Sequence, residues 1–232
     1  MDDTNQPQQE ASDAAPLLQA LGLRRTGRGR VLLEDVSLSV RGGDRIALLG
    51  PSGSGKTLLL RALGMLDPLA AGEIHWRGQP VRGNEVPRFR SQVIYLHQRP
   101  ALVEGAVEEN LRQPYSLRAH ADKRFQRDRI VAWLESLGRD ASFLAKQQRD
   151  LSGGESQLAA LLRAIQLDPI LLLLDEPTAT LDGLAAGQVE TLVEAWLNDQ
   201  PTTRATVWVT HDHEQARRVS TSVLHIREGK LS

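Results

Sequence analysis

The chain has no cysteine among its 232 residues. That excludes a disulfide framework, a thiol nucleophile and a zinc or iron–sulfur centre built on cysteines. It fits a cytosolic setting, which is the expectation taken from it. Net charge is nearly absent too: 28 Lys and Arg stand against 29 Asp and Glu. Nucleic-acid binders that work through bulk electrostatics carry a basic excess, so no nucleic-acid partner is expected. Long apolar runs are missing as well. No run in the second half is longer than that at residues 170–174, far short of the ~20 residues of a membrane helix. The start has neither a basic cluster nor an apolar stretch, so it does not read as a secretory signal. Any membrane role is expected to run through a partner.

What is present is ordinary for a globular chain: 41% hydrophobic and 25% charged residues. A chain of this length buries roughly 70–75% of its unfolded surface, enough for a core without staples. The small net charge hides an asymmetry. Residues 1–16 hold Asp2, Asp3, Glu10 and Asp13 and no basic residue. The remaining 25 acids against 28 bases leave a body of net +3. Residues 1–16 are rich in Asp, Gln, Pro, Ala and Ser and are expected to be a disordered tail. Structure is expected from Leu17 to the end, residues 17–232.

Val36, Leu38 and Val40 alternate at period two, the pattern of a half-buried strand. Gly42, Gly43 and Asp44 signal a turn, and residues 45–49 (RIALL) form a short apolar strand. A helix follows over residues 58–63. Residues 74–76 and 93–96 read as strands, and residues 108–146 have helical composition, with Ile130, Leu134 and Leu137 on one face. Leu158, Leu161, Leu162 and Ile165 recur at i, i+3, i+4 and i+7, an amphipathic helix. Residues 170–174 predict a fully buried strand. Val189, Leu192, Val193, Trp196 and Leu197 mark another helix, and residues 207–209 and 223–226 late strands. Strands alternating with helices predict an α/β fold with a mostly parallel sheet.

The run Gly50-Pro51-Ser52-Gly53-Ser54-Gly55-Lys56-Thr57 matches G-x-x-x-x-G-K-(S/T), with an apolar strand before it and a helix after it. Glycines let successive backbone N–H groups turn inward toward phosphate oxygens. The helix start adds its positive dipole end. Lys56 supplies charge to β- and γ-phosphates and Thr57 a hydroxyl to Mg²⁺. Downstream, the buried strand ends in Asp175 and Glu176. Asp175 can hold Mg²⁺ beside the cradle. Glu176, one residue on along an extended chain, points to the other side and can serve as general base toward an attacking water. Leu151-Ser152-Gly153-Gly154-Glu155 precedes the amphipathic helix and builds a second anion site at a helix start.

Taken in order, these motifs resemble the nucleotide-binding domain of ABC transporters, over about residues 17–232. The resemblance covers the Walker A run 50–57, a Q-loop at Gln98, the signature LSGGE at residues 151–155 and Walker B at 171–175. It continues with the catalytic Glu176, a D-loop ending at Asp182 and the switch His211. It implies a P-loop fold with an antiparallel β part and an inserted helical subdomain at about residues 99–155. It implies ATP and Mg²⁺ as ligands, with Thr57, Gln98 and Asp175 at the metal. It also implies a head-to-tail homodimer on ATP binding, in which Ser152, Gly153 and Gly154 act on the partner's ATP. Gln98 then links the Mg²⁺ site to the helical subdomain, where an integral membrane permease docks. The chain would thus sit peripherally on the cytoplasmic face of the membrane.

Two positions depart from the family pattern. The region 23–28 lacks the aromatic that usually stacks on adenine, leaving Arg24 or Arg25 to stack a guanidinium instead. Leu158 stands where arginine is common. The stretch 98–111 is similar to two groups, phosphate-importer ATPases and short Fet-type iron-export ATPases. Length and the brief helical part favour the second, so metal export is the expected activity. An iron–sulfur assembly ATPase is the alternative from another class.

Overall fold

The computed structural model describes residues 15–27 and 29–232. The acidic tail expected over residues 1–16 therefore lies outside the described residues, apart from Ala15 and Pro16.

Strands β1 (Leu18–Gly27) and β2 (Arg30–Val40) pair antiparallel, with Leu18 opposite Val40. Leu33, Val36 and Val40 are buried while Leu38 is half-buried. Asp35 takes a left-handed φ of 51°. That kink breaks the simple alternation and lets Leu33 and Val36 face inward together. Next come β3 (Arg45–Leu49), helix α1 (Lys56–Leu63), β4 (Ala71–Trp76) and the two-residue β5 (Gln79–Pro80). Helix α2 (Val86–Gln92) leads into β6 (Val93–Leu96). Helices α3 (Val107–Arg112) and α4 (Arg127–Ser136) precede the longer α5 (Gly153–Ile165). The chain closes with β7 (Leu171–Asp175), α6 (Gly183–Asp199), β8 (Ala205–Val209), α7 (His213–Val219), β9 (Ser222–Arg227) and β10 (Lys230–Leu231).

Two sheets result. One is antiparallel, in the order β2-β1-β4-β5. The other runs β10-β9-β3-β8-β7-β6 and is parallel except for the β10–β9 edge. The mixed α/β class with a mostly parallel sheet and an antiparallel part is what the sequence predicts. Strand β7 is buried throughout and its alternation splits the core. Leu171 and Leu173 join an apolar layer with α1 and the antiparallel sheet, while Leu172 and Leu174 join a second with α5 and α6. Each such leucine is worth roughly 2 kcal/mol of transfer free energy.

Between β6 and α5 the helical composition yields short pieces: α3, α4 and four 3-10 turns. Pro114 sits at the start of the turn after α3, and Gly138, at φ 66°, follows the end of α4. Ile130, Leu134 and Leu137 are buried as their spacing predicts. They join Val107, Leu111, Phe143 and Leu144 in one cluster with α5, α6 and β7, so this segment shares the apolar layer of the main sheet.

Candidate active site

Strand β3 delivers the chain into the loop 50–55, and α1 carries it away. A Cβ on Gly50 would lie 2.3 Å from the Ile226 carbonyl oxygen of β9, so only glycine fits there. Gly55, at φ 111°, caps α1 in the left-handed region that glycine tolerates. The Lys56 ammonium donates to the carbonyls of Gly50 (2.7 Å) and Pro51 (3.0 Å). It is thus held across the mouth of the loop. The Ser54 hydroxyl is buried and unpartnered among the described residues.

Asp175 ends β7 and is 2% exposed. It accepts a hydrogen bond at Oδ2 from the Tyr95 hydroxyl at 2.9 Å. Burial, and then the Asp175 charge, push the Tyr95 hydroxyl far above its ordinary value. Glu176 corrects an expectation. The chain is not extended there: Glu176 has a left-handed φ of 47°, and its N–H donates to the Val209 carbonyl at 3.1 Å. A sharp turn against the end of β8, rather than strand alternation, sets the direction of its carboxylate. Oε2 of Glu176 accepts from Gln98 Nε2 at 2.8 Å, and Nδ1 of His211 stands 3.9 Å from the same oxygen. His211 itself is mostly exposed and is held between the ends of β8 and α7. Asp212 beside it caps α7, accepting from the Glu214 N–H at 2.8 Å. Ser52, Gly53, Gly55, Lys56, Thr57, Gln98, Glu176 and His211 line one cleft of about 490 Å³.

The signature residues lie elsewhere. Ser152 caps α5 reciprocally with Glu155: its hydroxyl accepts from the Glu155 N–H (3.2 Å) while its own N–H donates to the Glu155 carboxylate (3.0 Å). Lys146 and the Ser152 N–H together hold the Glu155 carboxyl below the usual range. Gly153 and Gly154 form the first turn. A Cβ on Gly154 would come within 2.9 Å of Leu181 Cδ2, so the signature packs on the loop before α6. Asp182 caps α6, accepting from the Ala185 N–H at 2.9 Å. Ser152, Gly153, Gly154 and Asp182 do not line the cleft; nor do Gly50, Pro51, Ser54 and Asp175, but these four lie within two residues of lining ones in sequence.

Two readings change. Arg25 pairs with Asp67, which also takes two hydrogen bonds from Arg61 at 2.6 and 2.8 Å. Arg25 is thereby engaged, and of the two arginines only Arg24 is exposed. Leu158, at the position where arginine is common, is 2% exposed and belongs to the apolar layer under α5. Tyr95 and its contact with Asp175 were not foreseen. The available signal was one of only two tyrosines, placed on a strand next to the acidic one.

Comparison with known proteins shows the family and the fold. The family described as ABC transporter matches residues 33–179. Protein STAR1 of Oryza sativa subsp. japonica is 33% identical over 95% of this chain, which spans 63% of that relative's length. The phosphate import ATP-binding protein PstB 2 of Natronomonas pharaonis is 33% identical over 88% of this chain and 74% of its own. The probable iron export ATP-binding protein FetA of Escherichia coli is 31% identical over 87% of each. Among solved structures, a dimeric post-hydrolysis state of the ATP-binding cassette MJ0796 with ADP and Pi superposes with TM-score 0.80. It is 24% identical over 93% of this chain and 96% of that one, and shows the same fold.

Proposed function

The chain belongs to the ABC transporter family as an ATP-binding and ATP-hydrolysing domain, and on that premise we propose how its residues work and what they drive. One observation carries the reading: a single oxygen of Glu176 is held by Gln98 and faced by His211, at the mouth of the loop that Lys56 spans. ATP enters that cleft with its phosphates on the N–H groups of residues 50–57. Lys56 gives up the Gly50 and Pro51 carbonyls for β- and γ-phosphate oxygens. Glu176 takes the proton of a water in line with the γ-phosphate, a general-base contribution of about 10²–10⁴-fold. Gln98 keeps that carboxylate aimed, and His211 reaches the γ-phosphate from the other side.

Thr57, Gln98 and Asp175 offer oxygen donors of the kind a hard cation takes, with Asp175 buried and carrying one hydrogen-bonded oxygen, and so fit Mg²⁺. When bound, Mg²⁺ neutralises charge on the β- and γ-phosphates.

Ser152, Gly153, Gly154 and Asp182 act in trans. They lie outside the chain's own cleft, which supports a head-to-tail homodimer that closes on two ATP molecules. No helix among the described residues is long and apolar enough to cross a membrane. The segment 99–155 forms the inserted helical subdomain and docks on an integral membrane permease, which holds the chain at the cytoplasmic face. The transport reading proposed is metal export, on the similarity of residues 98–111 to the Fet-type iron-export ATPases; over the whole chain an uptake ATPase for tungstate is as similar as the iron-export one, at 31% identity. Phosphate release from ATP by the purified chain, lost in Lys56→Ala, tests the hydrolysis. Deletion in the source cell tests the cargo: metal accumulation supports export, and impaired phosphate uptake supports the importer reading suggested by PstB 2.

A further inference from the structure

The hydroxyl of Tyr95 is the one side-chain donor that the described residues place on the Asp175 carboxylate. The sheet explains why it reaches. Tyr95 pairs in register with Leu173 of the parallel neighbour β7, two residues before Asp175. Leu171 and Leu173 face the α1 layer, and period two puts Asp175 on that same side, toward the start of α1 where Thr57 sits. A tyrosine standing beside Leu173 is long enough to lean along the strand to Asp175. A shorter side chain at position 95 would stop over Leu173.

The phenol also has a cation behind it. The Arg61 guanidinium of α1 faces the phenol and is itself anchored by Nε and Nη2 on Asp67. An ionised carboxylate can only accept, so the phenol gives its proton to Oδ2 of Asp175. Asp175 is 2% exposed, so water offers little substitute for that donor. Once Oδ2 is held, the carboxylate plane cannot rotate freely, and Oδ1 is fixed for another ligand.

We propose that Tyr95 is a positioning residue for metal-bound ATP: by holding Oδ2 of Asp175 it presents Oδ1 to the cation beside Thr57. This rests on the assignment of Asp175 to Mg²⁺ made above. Outer partners that orient a metal ligand typically change metal affinity 10–100-fold when removed. Arg61 and Asp67 stand behind Tyr95 and connect the carboxylate to α1, the helix that begins at Lys56.

The test is the coupling between Mg²⁺ and nucleotide, read as the ratio of dissociation constants for a non-hydrolysable ATP analogue in EDTA and in Mg²⁺. Wild type, Tyr95→Phe and Asp175→Asn are compared, with melting temperatures recorded for each. Tyr95→Phe keeps the ring and its packing. It is expected to leave the EDTA constant unchanged and to lower the coupling ratio about tenfold. A purely structural role would instead weaken binding in EDTA and Mg²⁺ alike. If Tyr95→Phe couples as the wild type does while Asp175→Asn loses coupling, the positioning role is overturned and the metal assignment stands. If Asp175→Asn also couples normally, the metal assignment fails and the inference with it. Should Tyr95→Phe melt early, Arg61→Gln gives the second reading: loss of coupling there supports the chain of contacts, and wild-type coupling overturns it.

Discussion

Gln98 and Glu176, 78 residues apart in sequence, meet through a 2.8 Å hydrogen bond from the amide Nε2 to the carboxylate Oε2. One comes from the end of β6 and the other from the turn after β7, neighbouring parallel strands. The contact makes the orientation of the general base depend on the segment that leads to the helical part. Gln98→Ala is expected to lower kcat about tenfold or more, through the lost hold on Glu176, and to raise the KM for ATP as well, because Gln98 is also assigned to Mg²⁺. Steady-state phosphate release checks this. A variant with wild-type kcat would detach Gln98 from the chemistry.

The cradle depends on a close approach. Gly50→Ala would place a methyl group 2.3 Å from the Ile226 carbonyl oxygen, and backbone cannot yield as a side-chain tip can. The expected result is a lower melting temperature and loss of the ATP-induced rise in melting that ligand binding gives. Differential scanning fluorimetry with and without ATP reads both. A variant that melts and responds like the wild type would show that β9 does not constrain the loop.

Acid stability follows from Asp67. Hydrogen bonds from Arg61 and then Arg25 hold its carboxyl below the usual value against the opposing effect of burial. A carboxyl lowered in the folded state contributes stability that is fully present above its unfolded pKa of about 3.9. That stability is lost as pH falls through the lower folded value. Asp67→Asn is expected to cost about 2 kcal/mol at neutral pH, from the lost charged hydrogen bonds. It should also flatten the dependence of stability on pH below about 4. Urea denaturation from pH 7 down to 3 measures both. A mutant curve parallel to the wild type's would remove Asp67 from the acid response.

The signature's action in trans predicts complementation. Lys56→Ala and Ser152→Ala chains are each expected to be inactive alone. Mixed in equal amounts they form heterodimers with one intact site, so roughly a quarter of the wild-type rate returns if chains exchange freely. No recovery after denaturation and co-refolding would place Ser152 outside the partner's site.

Much of this was legible in the sequence, for identifiable reasons. The loop 50–57 declares itself because phosphate binding needs glycine, lysine and a hydroxyl at fixed steps. The strand β7 and helix α5 are legible because their apolar residues sit at unbroken spacing. Strand β1 was not, since register shifts between Ala20 and Leu23 break its alternation. Strands β5 and β10, two residues each, carry no period at all. Helices α2 and α7 leave no periodic signal, being only seven residues, two turns, long. The acidic pair after the apolar strand marks Glu176 as the base, but the same pattern predicts extended chain where the structure turns. A left-handed φ on glutamate leaves no trace in composition and depends on the Val209 carbonyl that receives its N–H. The contact of Tyr95 is not legible in the sequence, because it is set by the register between β6 and β7, which only tertiary structure fixes.

Glu176→Gln keeps the shape of the side chain and its contact with Gln98 while removing the base. Size-exclusion chromatography of that variant with ATP and Mg²⁺, beside a phosphate-release assay, reads assembly and chemistry together. The expected result is a stable ATP-bound dimer with turnover reduced at least ~100-fold. A variant that hydrolyses ATP at the wild-type rate, or that stays monomeric with ATP bound, would contradict the assignment of Glu176 and the head-to-tail site built around it.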